Sequence, residues 1–499
     1  PEDETPQTYR YTNNATDSII NLKWWELFHD PTLDTLIGIA LRENKNLLIA
    51  ASRIEQARAN VKFNKADMGP KIGVQANAGV TNQLFNIPGS NNLESYNAAG
   101  TFSWELDFWG KFRRSTEAAQ ADMLASFYGK RAIEIALISE VATNYFELLD
   151  YKTRLYISES TLALRDSTLQ IIQARFDEGY THIIDVNQAE IQKGITQASV
   201  PRFKRFIAFT EQNLSLLLGR NMDSIITTKK LTDYALPDSI PTGIPSEILL
   251  RRPDILQTQQ FYRAQNARIG VAQAMRFPSI SLTGLLGVGS ADLSNLLSNG
   301  LGWSAGASLL GPVFEWGKNA RRVDIERELT KQYLYDYENT VLTALLEVDN
   351  SLIELSTYQE ELVANEMKMR AAKNASSLSR QRYYQGVTSY LEVIENQRQE
   401  FDARLAYSEN YQDLLSSYIG LYKSLGGGWV SEAELEKYAS QVAEEQNVDV
   451  NTIDRDSLYY NGQVVDYYLT PEQEQQRKEE RKRLQEEERE ARRQARRSK

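Results

Sequence analysis

From Thr101 to Phe108 the chain alternates, with Thr101, Ser103, Glu105 and Asp107 polar and Phe102, Trp104, Leu106 and Phe108 apolar. A period of two with one greasy face predicts a half-exposed β-strand. Past Trp109-Gly110-Lys111 the period changes with no loop between. Val141, Leu148, Leu155, Leu162, Leu169 and Phe176 recur at every seventh position, the spacing of a coiled-coil seam. No Gly or Pro falls between Arg131 and Glu178, so nothing there forces a break. A helix of about 70 Å is expected. A short amphipathic strand that feeds so long a helix is unusual in a compact soluble domain.

The same arrangement returns 207 positions later: Trp109-Gly110-Lys111 as Trp316-Gly317-Lys318, Gly179 as Gly386, and Leu218-Gly219 as Leu425-Gly426. The seam returns as Val348, Leu355, Leu362, Met369, Ser376 and Tyr383. Upstream of the strands the spacing is 208, as between Pro70 and Pro278 or Ala59 and Ala267. A constant offset over so many positions marks an internal duplication.

Residues 1–21 form a polar arm, 22–219 a first repeat, 220–249 a linker and 250–428 a second repeat. Within the first repeat a helical pattern runs from Trp24 to Ala59, and strands are predicted near 70–80 and 100–109. Asn82–Asn97 reads as a loop, and a returning helix from Ile183 to Leu218 carries Gly194 and Pro201 as expected kinks. In the second repeat, strands are predicted at 278–289 and 302–314, then a helix without Gly or Pro from Asn319 to Gln385, approaching ~100 Å. A further region spans 429–470, and the tail at 471–499 is almost wholly Glu, Gln, Lys and Arg, a solvated helix or disordered.

Composition removes several classes. A net charge of −11 argues against nucleic-acid binding. With no Cys and two His, His29 and His182, there is no disulfide framework and no Cys/His metal cluster. No apolar run is long enough for a transmembrane helix, whereas a β-barrel of short alternating strands stays open. No signal peptide is present, and the chain opens on Pro1-Glu2-Asp3-Glu4 as a processed or truncated form would. Gly426–Gly428 lacks the Lys-Ser/Thr of a phosphate loop, and His182 reads as an exposed tip residue. Glu105 and Asp107 share a strand face and line a wet interior rather than an acid/base pair. The chain therefore carries no catalytic constellation and implies no enzyme, cofactor or metal.

Each strand has about the length a tilted membrane strand needs, and Trp104, Trp109, Trp303 and Trp316 cluster at strand ends as interfacial girdles do. Four strands cannot close a lipid-facing barrel, because open edges are not tolerated in hydrocarbon. Three copies pooling strands would reach about twelve. The fold class is α+β: a β-barrel shared between copies, with long α-helices that carry a coiled-coil seam. The competing reading is a soluble four-stranded sheet packed on helices, which offers nothing to cover the seamed helices.

Trp24-Trp25-Glu26-Leu27-Phe28-His29-Asp30-Pro31, with Leu33, Leu36, Ala40-Leu41 and Asn44, resembles the start of the TolC/OprM family of outer-membrane efflux channels. Leu250-Arg251-Arg252-Pro253-Asp254-Ile255, then Ala264, Ile269-Gly270-Val271-Ala272 and Phe277-Pro278-Ser279-Ile280-Ser281-Leu282, is similar to a motif of its OprM/CusC-like lipoprotein branch. The resemblance covers Leu22–Gly428. It implies a homotrimer in outer-membrane lipid, with a periplasmic helical tunnel girdled by an equatorial domain from the linker and the 429–470 region. It also implies a passive duct for multidrug or metal efflux, fed by an inner-membrane pump and a periplasmic adaptor (membrane fusion) protein. The adaptor would meet the tips at Gly179, Tyr180, Thr181, Gly386, Val387 and Thr388. The family's periplasmic gate falls on Leu391, Glu395 and Arg398, with Ile184 and Gln188 (and Ile191) as the first-repeat counterparts. Positions i, i+4 and i+7 share a helix face, so those three can point at one lumen. The branch is usually acylated on an N-terminal Cys, which is absent here. Type I protein secretion and a soluble periplasmic coiled-coil scaffold are the alternative functions.

Overall fold

The computed structural model describes residues 24–81, 93–221, 224–234, 252–296 and 300–427. The chain divides into two units, Pro1–Gly427 and Gly428–Lys499, and every described residue lies in the first. The expected arm at 1–21, much of the 220–249 linker, the 429–470 region and the tail at 471–499 lie outside the described residues.

A 3-10 turn at Trp24–Phe28 leads into helices α1 (Pro31–Glu43) and α2 (Lys45–Ala66), then strands β1 (Lys71–Thr81) and β2 (Leu93–Leu106). Helices α3 (Lys111–Asp177) and α4 (Ile183–Leu217) complete the first copy. The second holds α5 (Pro253–Ala274), β3 (Ser279–Ser290), β4 (Gly302–Leu310), α6 (Lys318–Tyr384) and α7 (Tyr390–Ser424). The duplication is plain in the lengths. Helices α2 and α5 have 22 residues each, α3 and α6 have 67, and α4 and α7 have 35.

Several local expectations need revision. Helix α3 starts at Lys111, directly after the strand, so it is about 100 Å long rather than 70 Å. Gly129 does not break it, and a Cβ there would lie 2.4 Å from Gln257 Nε2, so its absence lets α5 come close. Strand β2 begins at Leu93, inside the expected 82–97 loop, because Asn97, Ala98 and Ala99 are paired on both flanks, by β1 and by β3. It ends at Leu106, which leaves Asp107 and Phe108 outside it. The single helical pattern from Trp24 to Ala59 is three elements. Asn44 divides α1 from α2, its side chain accepting from the Leu47 amide (3.1 Å) and donating to the Leu217 carbonyl (2.8 Å). Helix α4 runs unbroken through Gly194 and Pro201. Among the described residues no helix is long and apolar enough to cross a membrane.

The main core joins the N-terminal elements to the middle of α3 and the end of α7. Trp24, Phe28, Leu33 and Ile37 pack with Val141, Tyr145, Phe146 and Leu148, and Trp24 stacks on Tyr422 with 5.7 Å between ring centres. Nearer the tip the expected seam of α3 rotates out: Leu155, Leu162, Leu169 and Phe176 are half-buried, whereas Ser158, Arg165 and Ile172 are buried. An α-helix drifts about 20° per heptad, so a line of positions spaced by seven cannot stay innermost over ten heptads. In the second copy Asn365, Ala372 and Ser379 take the same inner line.

Two buried polar nodes tie the elements together. Asp30 accepts the Tyr145 hydroxyl (2.6 Å), the Tyr234 hydroxyl and the Thr32 amide (2.9 Å) at the start of α1. Burial pushes this carboxyl up, but the bonds from Tyr145, Tyr234 and the Thr32 and Leu33 amides outweigh it, and it sits below the ordinary carboxylate range. Arg252 precedes α5 and reaches Asp254 (2.6 Å), Glu347 of α6 (2.6 Å) and the Ser424 carbonyl that ends α7 (3.0 Å).

Replacing Asp30 by Ala strands two buried phenols and a helix N-terminus, and is expected to cost about 3 kcal/mol, read as a lower melting temperature. Because the folded carboxyl titrates below its unfolded value, its contribution is complete at neutral pH. That contribution is lost as pH falls below the ordinary carboxylate range, so the gap between wild type and Asp30→Ala should narrow there.

Candidate functional site

The four strands form one antiparallel sheet in the order β1-β2-β3-β4. Its register keeps the sequence alternation in phase across every seam. Ile72 faces Phe102, Phe102 faces Gly284, and Gly284 faces Ala305. Trp104 faces Leu282, which faces Ala307. Opposite residues share a face, so Ile72, Val74, Val80, Phe102, Trp104, Leu282, Leu286, Trp303 and Leu309 lie on one side. Gln75, Asn77, Ser95, Asn97, Thr101, Ser103, Glu105, Ser281, Thr283, Ser304 and Ser308 lie on the other. Within the single chain the apolar side is bare: Val74 is 92% exposed and Trp303 77%. Among the described residues β1 and β4 each pair along one flank only.

The aromatic residues stand at different heights. Trp104 opposes Leu282 near the helical end, whereas Trp303 opposes Leu286, four residues further out. Trp109 lies beyond the strand, stacked on Phe277 with 4.5 Å between ring centres, its indole N–H on the Pro278 carbonyl (2.8 Å). Trp316, its counterpart, is 90% exposed.

Strand turns into helix at a glycine elbow in each copy. Gly110 and Gly317 both have φ of 78°, a left-handed conformation that a side chain would disfavour. Glu105 belongs to the polar face as expected, held by Lys111 at 2.9 Å. Asp107 does not lie beside it on the strand. Its carboxylate turns back to accept the Phe112 amide (3.0 Å) and the Arg113 amide (2.9 Å), capping the first turn of α3. A helix start leaves those donors unpaired, so an acceptor there is satisfied locally rather than offered to a lumen.

At the opposite end each helical pair closes through the same hairpin. The Gly179 amide donates to Phe176 (2.9 Å) and the Tyr180 amide to Arg175 (2.8 Å), while Gly386 and Val387 repeat the pattern on Tyr383 and Arg382. The paired bonds are those of a Schellman cap, which requires a left-handed residue at Gly179 and Gly386. Thr181 then bonds Asp185, and Thr388 bonds Glu392, which also holds Arg382 at 3.0 Å. Tyr180 and Val387 project at 82% and 62% exposure.

Just past the second tip Leu391, Glu395 and Arg398 lie together on the exposed face of α7, with Tyr390, Val393, Ile394 and Gln397 buried behind them. Arg398 grips Glu395 through two bonds, Nη2 to Oε1 (2.7 Å) and Nε to Oε2 (3.0 Å), and its Nη1 meets Asp402 at 3.2 Å. Arg398 and then Gln399 hold the Glu395 carboxyl down to about 2. Sequence reading missed Asp402 and Gln399, although Arg398 and Asp402 stand at a helical i, i+4 spacing. In the first copy Ile184 and Ile191 are exposed and Gln188 is half-buried, so no ion pair forms at those positions.

A further acidic cluster was not foreseen. Asp150 of α3 is buried on Arg154 (2.7 Å) and the Ser408 hydroxyl (2.6 Å), and Arg154 also meets Glu409 at 3.3 Å. One turn on, Asp413 shares this junction with Glu361 of α6. Burial first, then the Glu409 and Asp150 carboxylates, push Asp413 up to about 6.

The comparisons bear on this architecture directly. The model of the outer membrane efflux protein family matches residues 36–220 and 244–427, one segment per copy. The chain belongs to the outer membrane efflux protein family. It is 34% identical over 409 residues to the solvent efflux pump outer membrane protein SrpC of Pseudomonas putida, covering 81% of this chain and 87% of that one. It is 30% identical over 428 residues to the cation efflux system protein CusC of Escherichia coli O6:H1, covering 83% and 90%. Its fold superposes on the open-state crystal structure of the Neisseria gonorrhoeae MtrE outer membrane channel with a TM-score of 0.78. There the identity is 28%, and the match covers 85% of this chain and 96% of that one. This outer-membrane efflux protein carries the family's sheet and long helices in one chain.

Asp413→Asn tests the acidic junction. A carboxyl whose folded value is raised from ~3.9 to about 6 favours folding fully below that interval and progressively less as pH rises through it. The variant should therefore melt about 2 °C higher than wild type at pH 7.5, with the gap closing by pH 4. The shift is small because the side chain is half exposed and screened.

Proposed function

We propose that three copies of this chain assemble into an exit duct for small molecules across the outer membrane. The observation that carries this reading is the sheet: four strands, one bare apolar face, one polar face and two flanks without partners among the described residues. Pooled around a threefold axis, β4 of one copy pairs with β1 of the next and closes about twelve strands, apolar side to lipid and polar side to water. The helices continue the wall as a periplasmic tunnel. The duct does no chemistry and is passive. An inner-membrane pump and a periplasmic adaptor deliver the cargo, the adaptor meeting Gly179, Tyr180, Thr181, Gly386, Val387 and Thr388 at the tips.

Leu391, Glu395 and Arg398 form the gate. Three Leu391 side chains near the axis make a dry constriction, and each Glu395 is neutralised by its own Arg398, so like charges do not force the ring apart. The kinship with a solvent efflux pump protein and a cation efflux system protein favours organic compounds or metal ions over secreted proteins as cargo.

Detergent-solubilised protein should cross-link to a trimer and resist salt washing from membranes. A monomer released by salt alone refutes the duct and returns the soluble scaffold. In planar bilayers Leu391→Ala and Glu395→Ala should each raise conductance several-fold over wild type. Lowering pH from 7 to 4 should leave the Glu395–Arg398 contribution unchanged, because that carboxyl titrates near 2.

A further inference from the structure

The two copies diverge in one buried position. Arg165 of α3, 3% exposed, stands where the duplication places Ala372 in α6. Its Nη1 donates to the Gln192 carbonyl (2.7 Å) and to the Thr196 hydroxyl, both on α4. Its guanidinium lies over the Phe401 ring of α7, 5.2 Å from the centroid. Nε and Nη2 have no acceptor, and no carboxylate within the described residues forms an ion pair with Arg165. Asp402, the nearby acid, is engaged by Arg398 at 3.2 Å. At the equivalent place the second copy has Ala372 and Ala403, which line a cavity with Lys368 and Asp402 in its wall.

A second donor is stranded close by. Gln397 of α7, 5% exposed, has an Nε2 without a partner. Arg165 and Gln397 line the same cavity of about 120 Å³, with Ser160, Thr161, Glu400 and Arg404 in its wall. A guanidinium has five N–H donors and an amide two, so donors outnumber acceptors here even with Glu400 in the wall and the unpaired Oε1 of Gln192, whose carbonyl Arg165 already holds. Burying a cation is costly, and burial depresses the Arg165 ionisation, which the Asp402 carboxylate and then Tyr390 offset only in part. The cavity has room for a monatomic anion and a few waters, at about 30 Å³ of liquid volume each, and not for an extended organic acid.

We infer that Arg165 and Gln397 form a binding site for a small monovalent anion of the chloride type, lodged between α3 and α7. The anion supplies an acceptor to the unpaired donors of Arg165 and Gln397, and so fastens the segment that carries Leu391, Glu395 and Arg398 to the first-copy hairpin. Every residue of the site belongs to one chain.

The test uses bromide, which scatters anomalously, as the sole halide in crystals of the detergent-solubilised full-length protein. An anomalous peak in the cavity beside Arg165 and Gln397 is expected, weakened or lost in Gln397→Leu, which leaves the Arg165 bonds to α4 in place. In solution, melting of wild type should be about 2 °C higher in chloride than in gluconate at equal ionic strength, and Gln397→Leu should abolish the difference. Ordered water without a bromide peak overturns the inference, as does a carboxylate from another copy in the cavity. Equal melting in both salts does so too.

Discussion

In hydrocarbon an unpaired backbone N–H or C=O costs several kcal/mol, and that cost governs where this chain can place its ends and bends. The three seams between β1, β2, β3 and β4 are closed within the chain, each in continuous register. Strand must then become helix without leaving first-turn amides exposed where the two meet. The elbow at Gly110 solves this with a left-handed residue and the Asp107 carboxylate on two amides, and a helix of 67 residues carries its own bonds from there. The tips close by the same logic, each glycine turning its hairpin while the next amides find carbonyls of the last turn.

Duplication supplied the backbone twice but the charged chemistry once. Asp107 caps α3, while the corresponding residue before α6 is Phe314, which caps nothing. Gln188 stands where the second copy has Glu395, and Ala372 where the first has Arg165. Equal helix lengths show that the fold tolerates both versions of each position. The single-copy residues therefore reflect what each hairpin meets: Arg165 spans α3, α4 and α7, and Glu395 belongs to the exposed stretch just past the second tip.

The alternating strands, the elbows and the tips were legible in the sequence because period and glycine are local signals, and the offset doubled each of them. Helix extent was misread for α3 because Gly129 looks like a breaker until Gln257 is seen against it. The start of β2 was lost in Asn97-Ala98-Ala99, residues with little β preference that are fixed by two neighbouring strands. Asp107 was placed on the strand by parity alone, one residue past where pairing stops. The nodes at Asp30, Arg252 and Asp150 were invisible for another reason. Their distant partners lie from 95 positions away, Glu347 for Arg252, to 258, Ser408 for Asp150, and no spacing rule reaches that far.

Those nodes answer a problem that the seams create. Helices with apolar positions spaced by seven can slide past one another by a heptad and meet much the same surface, so apolar packing alone leaves several registers close in energy. A buried carboxylate is satisfied in only one of them. If α7 slipped against α3 by seven residues, Leu415 or Phe401 would replace Ser408 opposite Asp150, leaving a 1% exposed acid without its hydroxyl donor. The penalty for such a stranded group exceeds what a neutral heptad exchange could return. Arg252 applies the same discrimination at the other end of α7, where its bond to the Ser424 carbonyl exists only if the helix ends at that level. Buried charge here fixes the level at which the tips and the exposed face of α7 stand.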